Sequence, residues 1–457
     1  MKKLLLAFCI LFCSEFVHAQ NTDSIMIRKI YSEILLNGMA HSWLRDLSVN
    51  VGARLTGSQE AEKAVQVTEI MMKNAGADSV WLQPVMVPHW VRGAKESAKI
   101  IETNKHEQEV PVTALGGSVS TPAEGITANI IEVKTFDELK KLGREKIQGK
   151  IVFYNHPFDE TLINTFEAYG EAAEYRWSGP SEAARYGAIA SVCRSMTNAS
   201  DDFPHTGAMG YNDSLPKIPC AAISTNGADL LSRILRSNAE TKFFLKLNSQ
   251  MLDSVLSHNV VGEIRGSEHP EEIIVIGGHL DSWDTGKGAH DDGAGVVQAI
   301  EIIRAMKALG IKPKRTIRAV AFMNEENGLR GGRKYAELAG KNTERHIAAM
   351  ESDAGGFTPY GFGFDMSDEK RAIAKKWAPL FRPYLLWNFD ETHGGSDIGP
   401  LKRELKVPLI GLVVDSQRYF DYHHAASDTF DKVNKRELLL GAAAMASMVY
   451  LLSTYGL

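Results

Sequence analysis

The sequence predicts an α/β protein of more than one domain, and three observations carry that prediction. Its 457 residues exceed what a single hydrophobic core usually serves. From Val260 onward, short apolar runs alternate with amphipathic helical patterns, the mark of strands and helices in turn. Polar residues able to hold a metal follow the ends of those runs, at the sheet edge where open α/β folds bind ligands. Composition is that of a soluble globular chain, 44% hydrophobic and 23% charged with net charge −5. That balance lacks the basic face nucleic acid demands, so no nucleic-acid partner is expected.

At the N-terminus, Lys2 and Lys3 precede an apolar run from Leu4 to Phe12, and Val17-His18-Ala19 offers compact residues beyond it. The pattern is that of a signal peptide over residues 1–19, which predicts export to the periplasm or the medium. The run is too short to span a bilayer, and no later segment reads as a membrane span. Two cysteines, Cys193 and Cys220, lie beyond it. They are too few for a disulfide framework, and pairing and burial as two small residues are both open.

Helical stripes follow over Asp23 to Ala75, broken by the Gly-rich turn Gly52-Ala53-Arg54-Leu55-Thr56-Gly57-Ser58, which suits a close backbone approach. Val80-Trp81-Leu82 and Val85-Met86-Val87 read as strand. From residue 110 to 247 short β-like runs, such as Ile126 to Val133 and Lys150 to Tyr154, alternate with helical stretches and frequent Gly and Pro. No cluster with catalytic spacing appears there, so residues 110–247 read as an inserted accessory domain. Residues 20–109 and 248–457 then form the main domain. In it, strands are predicted over Glu272 to Gly277, Thr316 to Met323, Ile347 to Met350 and Val407 to Val414. Helices are predicted over Ala294 to Leu309, Gly328 to Ala339 and Leu438 to Leu452.

The chemistry sits at the strand ends. In GGHLDSWDTGKGAHDDGAG (277–295), His279 offers an imidazole and Asp281 can accept its second N–H. Asp291 and Asp292 are adjacent carboxylates among glycines, a pair that asks for a cation. In NEENG (324–328), neighbouring side chains at a strand end diverge, so of Glu325 and Glu326 one can ligate and the other serve as general base. Asp353 ends the third strand. In DYHHAASDT (421–429) either His423 or His424 can ligate, with Asp428 or Thr429 in support. Nitrogen and oxygen donors without thiolate suit two zinc ions sharing a carboxylate, able to hold a hydroxide between them.

Together these motifs resemble the co-catalytic zinc aminopeptidase and glutamate carboxypeptidase family, and within it the plasma glutamate carboxypeptidase group. The resemblance spans nearly the whole chain after residue 19. It implies a zinc-peptidase fold, a central mixed sheet flanked by helices, with a β-rich protease-associated domain at 110–247, around IQGKIVFYN and KIPCAAIS. It implies two zinc ions per chain. Asp291 would bridge them, His279 and Asp353 would complete one position, and Glu326 and His424 the other. Glu325 would be general base to a metal-bridged hydroxide, Asp281 would orient His279, and the peptide bond after Asp291 would be cis. The implied reaction is hydrolysis at the N-terminal end of dipeptides or short peptides, in a chain that admits a homodimer. HGGSD (393–397) and Tyr419 are candidates for the cleft wall. Glutaminyl cyclases resemble the same fold with one zinc, and some receptor ectodomains keep it without catalysis. A filled five-ligand set argues against both.

Overall fold

The computed structural model describes residues 22–103 and 105–457; the signal-peptide expectation for residues 1–19 lies outside the described residues. The first strand, β1 (Ser79–Val91), is followed by eight that build a second sheet: β2 (Ser97–Ile101), β3 (Glu107–Glu109), β4 (Val112–Ala114), β5 (Ile126–Val133), β6 (Ile151–Tyr154), β7 (Ala190–Arg194), β8 (Cys220–Ile223) and β9 (Lys242–Lys246). The last six are β10 (Gln250–Ile264), β11 (His269–His279), β12 (Arg315–Phe322), β13 (Arg345–Glu351), β14 (Pro359–Asp365) and β15 (Leu409–Val414).

The main sheet runs β1-β10-β12-β11-β13-β15-β14. Its centre, β12-β11-β13-β15, is parallel, and the flanking pairs β1/β10, β10/β12 and β14/β15 are antiparallel. The sheet is therefore mixed. Parallel strands need both faces covered, which is why β11 through Ile273, Ile274, Val275 and Ile276 is a continuous apolar run, fully buried. One face carries the helices Ala294–Ala308 and Lys435–Tyr455, packed on each other, with Val297, Ile300, Ala443 and Met445 in the same core. The two runs read around Pro84 form one strand, β1. Proline is tolerated because β1 is the sheet edge, where its missing N–H costs no ladder bond.

The C-terminal helix corrects one expectation. Lys435–Tyr455 is long and apolar enough to cross a membrane by length and composition, with mean hydropathy 1.6. Most of it is buried against the sheet and the Ala294–Ala308 helix, so its apolarity is that of a core helix surrounded on all sides.

The second sheet runs β3-β2-β9-β5-β6-β7-β8-β4. It takes in Ser97–Ile101 and Glu107–Glu109, upstream of the composition change at residue 110. Strands β5 to β8 are parallel, with helices Phe136–Ile147, Thr165–Trp177, Gly179–Arg185 and Thr225–Ser237 among its connections. The unit is thus α/β rather than β-rich. Cys193 and Cys220 are free and buried, and burial pushes both thiols up to about 12.

Candidate metal centre

Because β12, β11, β13 and β15 are neighbours and parallel, their carboxyl ends open on one place. His279 ends β11, Glu325 and Glu326 follow β12, Asp353 follows β13, and the segment after β15 carries His424. The structure brings all these residues together. His279 Nε2 lies 3.0 Å from Asp291 Oδ1 and 3.5 Å from Asp353 Oδ1. His424 Nε2 lies 3.3 Å from Asp291 Oδ2 and 3.1 Å from Glu326 Oε2. Two clusters, each one histidine and two carboxylates, thus meet at Asp291. His423 stacks on His424 with centroids 3.5 Å apart, but its Nε2 is 3.8 Å from Asp291 Oδ2.

Both histidines spend Nδ1–H on a main-chain carbonyl, His279 on Asp281 at 3.0 Å and His424 on Thr206 at 3.1 Å. Each ring then turns Nε2 toward carboxylate oxygens. Lone pair facing carboxylate is repulsive unless a proton or a metal cation lies between. Asp291 Oδ2 is buried and without a hydrogen-bond partner, an expensive state for a charged oxygen. Nitrogen and oxygen donors in these sets fit zinc.

Around the clusters the main chain is held from several directions. Asp292, whose carboxylate lies close to the ligand atoms of His279 and Asp353, accepts the N–H of His279 at 3.0 Å and of Gly295 at 2.9 Å. A Cβ on Gly295 would stand 1.9 Å from the carbonyl of Ser352, so only glycine fits there. Asp428 accepts from the N–H groups of His290 and Asp291, at 2.8 and 3.1 Å. It therefore supports Asp291 and not His424, while the Thr429 hydroxyl turns to Asp431. The bond between Asp291 and Asp292 is cis.

At Asp281 the carbonyl and the carboxylate have different partners. Its carbonyl takes the His279 proton; its carboxylate accepts the N–H of Asn324 at 2.7 Å and of Glu325 at 3.0 Å. The carboxylate thus pins the turn carrying Glu325 and Glu326. As their alternation predicts, the two glutamates part. Glu326 turns to His424 and accepts the N–H of Trp283 at 3.2 Å, and Glu325 lines the cleft. Desolvation, with Asp353, Asp281 and Asp291 nearby, raises Glu325 to about 8 against the pull of His279. Burial lowers His423 to about 3. For His279 burial works the other way, but hydrogen bonds to Asp291 and Asp353 hold it well above the usual imidazole range.

The Gly-rich turn has a function that its residues did not disclose. Arg54 is fully buried. Its guanidinium donates to the carbonyls of Leu280 at 2.5 Å, Lys287 at 2.9 Å and Gly288 at 2.9 Å. Thr56 bonds both Asn324 and Asn327. The turn therefore clamps the loop between His279 and Asp291 and the glutamate turn as well.

Above the clusters is a cleft of about 600 Å³. His393, Gly395, Ser396 and Tyr419 line it as anticipated, and Asp397 is buried beneath. The second sheet's unit supplies Phe166, Tyr169, Arg176 and Trp177 to the opposite wall. Those residues went unnoticed because the helix Thr165–Trp177 shows only weak amphipathic patterning and carries no catalytic spacing.

Paired histidine–carboxylate clusters at the ends of parallel strands, beneath a peptide-sized cleft, define a metallopeptidase. The model of peptidase family M28 matches residues 259–449. The chain is 38% identical over 403 residues to carboxypeptidase Q of Homo sapiens, covering 88% of this chain and 83% of that protein. The crystal structure of a peptidase M28 precursor from Shewanella amazonensis SB2B superposes with TM-score 0.90 at 34% identity, covering 95% of this chain and 97% of that one. BSAP, a zinc aminopeptidase from Bacillus subtilis, shares the fold with TM-score 0.66 at 20% identity, over 90% and 94% of the two chains. This chain belongs to peptidase family M28 and is a metallo-exopeptidase.

Proposed function

We propose that this chain is an exported di-zinc exopeptidase that cleaves the N-terminal bond of dipeptides and short peptides. His279 and Asp353 would hold one zinc and Glu326 and His424 the other, with Asp291 available to both. The observation that carries this reading is the pair of imidazoles, each with Nδ1–H fixed on a carbonyl and Nε2 turned to carboxylates. Zinc bound there supplies Lewis acidity, polarising the substrate carbonyl and making water nucleophilic near neutral pH.

The remaining work belongs to the chain. Glu325, on the wall of the cleft, takes the proton of the attacking water and passes it to the leaving amine. Asp281 holds Glu325 in place through its main-chain N–H. Arg176 on the cleft wall is engaged with Tyr169 and Ala208, whereas Arg333 is exposed on the wall that begins at Glu325. Its guanidinium suits a substrate carboxylate and supports a preference for short peptides. The second sheet's unit, which we take as the protease-associated domain with its upstream junction near Ser97, closes the other side and limits length. Met86 and Leu256, opposed on β1 and β10, are exposed and support a homodimer.

The test is a panel of free, N-blocked and C-blocked dipeptides. Free dipeptides should be hydrolysed, exhaustive chelation should abolish this, and zinc should restore it. Glu325→Gln should lower kcat about 10²–10⁴-fold while two zincs stay bound. Undiminished hydrolysis by that variant, or by chelated enzyme, would overturn the reading. One tight zinc and no dipeptide hydrolysis would point to a cyclase instead.

A further inference from the structure

The ring of His279 is fixed by a carbonyl two residues away. The ring of His424 is fixed by a carbonyl from the other sheet's unit. His424 has φ of +62°, a backbone state that few non-glycine residues hold without outside support. That support is reciprocal: Thr206 N–H donates to the His424 carbonyl at 3.0 Å, and His424 Nδ1–H donates to the Thr206 carbonyl at 3.1 Å.

Loop 205–209 is itself tied into the second sheet. The Thr206 hydroxyl donates to the carbonyl of Ala114, the last residue of β4, at 2.8 Å. The N–H of Gly116 donates to Gly207, and that of Met209 returns to Gly116, at 2.9 and 3.1 Å. Arg176 Nε donates to the carbonyl of Ala208 at 3.2 Å, and its Nη2 to the Tyr169 hydroxyl at 2.7 Å. Tyr169 meets the ring of His423 edge-on at 5.0 Å. The His423–His424 pair thus rests on a frame of β4 and the helix Thr165–Trp177.

We propose that the second sheet's unit is part of the metal centre: through the Thr206 carbonyl, loop 205–209 fixes the tautomer and aim of His424. It thereby sets the affinity of one of the two zinc positions. Thr206 is a positioning residue, acting through His424. The inference rests on the assignment of His424 as a zinc ligand. It adds that an accessory unit, outside the strands bearing the ligands, governs one position and not the other.

Two substitutions disturb the strut without touching a ligand. Thr206→Val removes the hydroxyl that anchors the loop to Ala114, whose carbonyl keeps a bond from Arg92. Gly207→Ala places a Cβ 2.5 Å from Arg176 Nη1, at a φ of +145°, and so shifts the loop. Thr206→Ser keeps the hydroxyl. Apo-protein is titrated with zinc against a competing colorimetric chelator, and folding is checked by circular dichroism and urea midpoint. Wild type should take two equivalents. Thr206→Val and Gly207→Ala should bind one equivalent about tenfold to a hundredfold more weakly, the range for loss of a group that orients a ligand. The other equivalent should be unchanged, and Thr206→Ser should behave as wild type. Wild-type affinity for both zincs in folded Thr206→Val overturns the proposal, as does equal weakening of both positions. Fewer than two zincs in wild type would instead overturn the ligand assignment beneath it.

Discussion

Replacing Arg54 by Met tests whether the Gly-rich turn really clamps the ligand loop. The guanidinium is fully buried and serves four carbonyls, those of Leu280, Lys287, Gly288 and, at 3.5 Å, Gly52. That of Gly288 keeps a second donor, the N–H of Gly293 at 3.1 Å. Leu280 and Lys287 would lose that side-chain donor, but Lys287 is exposed and water can replace it, whereas the Leu280 carbonyl is buried. One orphaned buried acceptor predicts a loss of about 1–3 kcal/mol. Arg54 also lies within the field of Asp428, Asp281, Asp292 and Asp291. Its loss should therefore hurt the metal-free chain more than the zinc-loaded one, where other cations offset those carboxylates. Arg54→Lys keeps the charge with fewer aligned donors and should fall between. Urea unfolding, followed by tryptophan fluorescence with and without zinc, measures both quantities. A metal-free Arg54→Met protein within about 0.5 kcal/mol of wild type would refute the reasoning, because an orphaned buried acceptor costs about 1–3 kcal/mol.

Two further outcomes are expected. Between about pH 7.5 and 8.5 the metal-free chain should lose stability as pH rises: burial lifts Glu325 to about 8, Glu351 to about 7 and Asp428 to about 7, so the folded state holds protons that the unfolded state has released. Histidines lowered by burial, such as His205 and His290 at about 4, contribute the opposite slope until the unfolded imidazoles have lost their protons, at about pH 7.5; a flat or rising urea midpoint across this window would contradict the shifts. Gly295→Ala should destabilise by about 1–3 kcal/mol or more, since its Cβ would fall 1.9 Å from Ser352 O and 2.5 Å from Asp292 Oδ2; an unchanged melting temperature would show that the turn is not so tightly packed.

Much of the main domain was legible because its signals are local. Strands β11, β12, β13 and β15 are apolar runs with polar residues at or just beyond their carboxyl ends, and the helix Ala294–Ala308 follows its Gly-rich loop directly. Strand β14 and the short helices after it were not anticipated. Pro359–Asp365 contains two glycines, and its strand character comes from antiparallel pairing with β15 at the sheet edge, a partner that no local pattern names. The fifteen-residue β10 was also missed, because its first half is mostly exposed and only pairing with β1 makes it strand.

The sequence by itself determined which residues could bind metal and that they follow successive strands. Residue type and strand-end position are local properties, readable from alternation and spacing. Only the tertiary structure decided what holds them. The carbonyl, not the carboxylate, of Asp281 takes the His279 proton; Asp428 braces Asp291; Arg54 clamps the loop from more than 200 residues away; and Thr206, from the second sheet's unit, braces His424. These contacts are made largely by main-chain atoms, which every residue carries alike. Their pairing depends on where distant segments come to rest, and so leaves no trace in residue type.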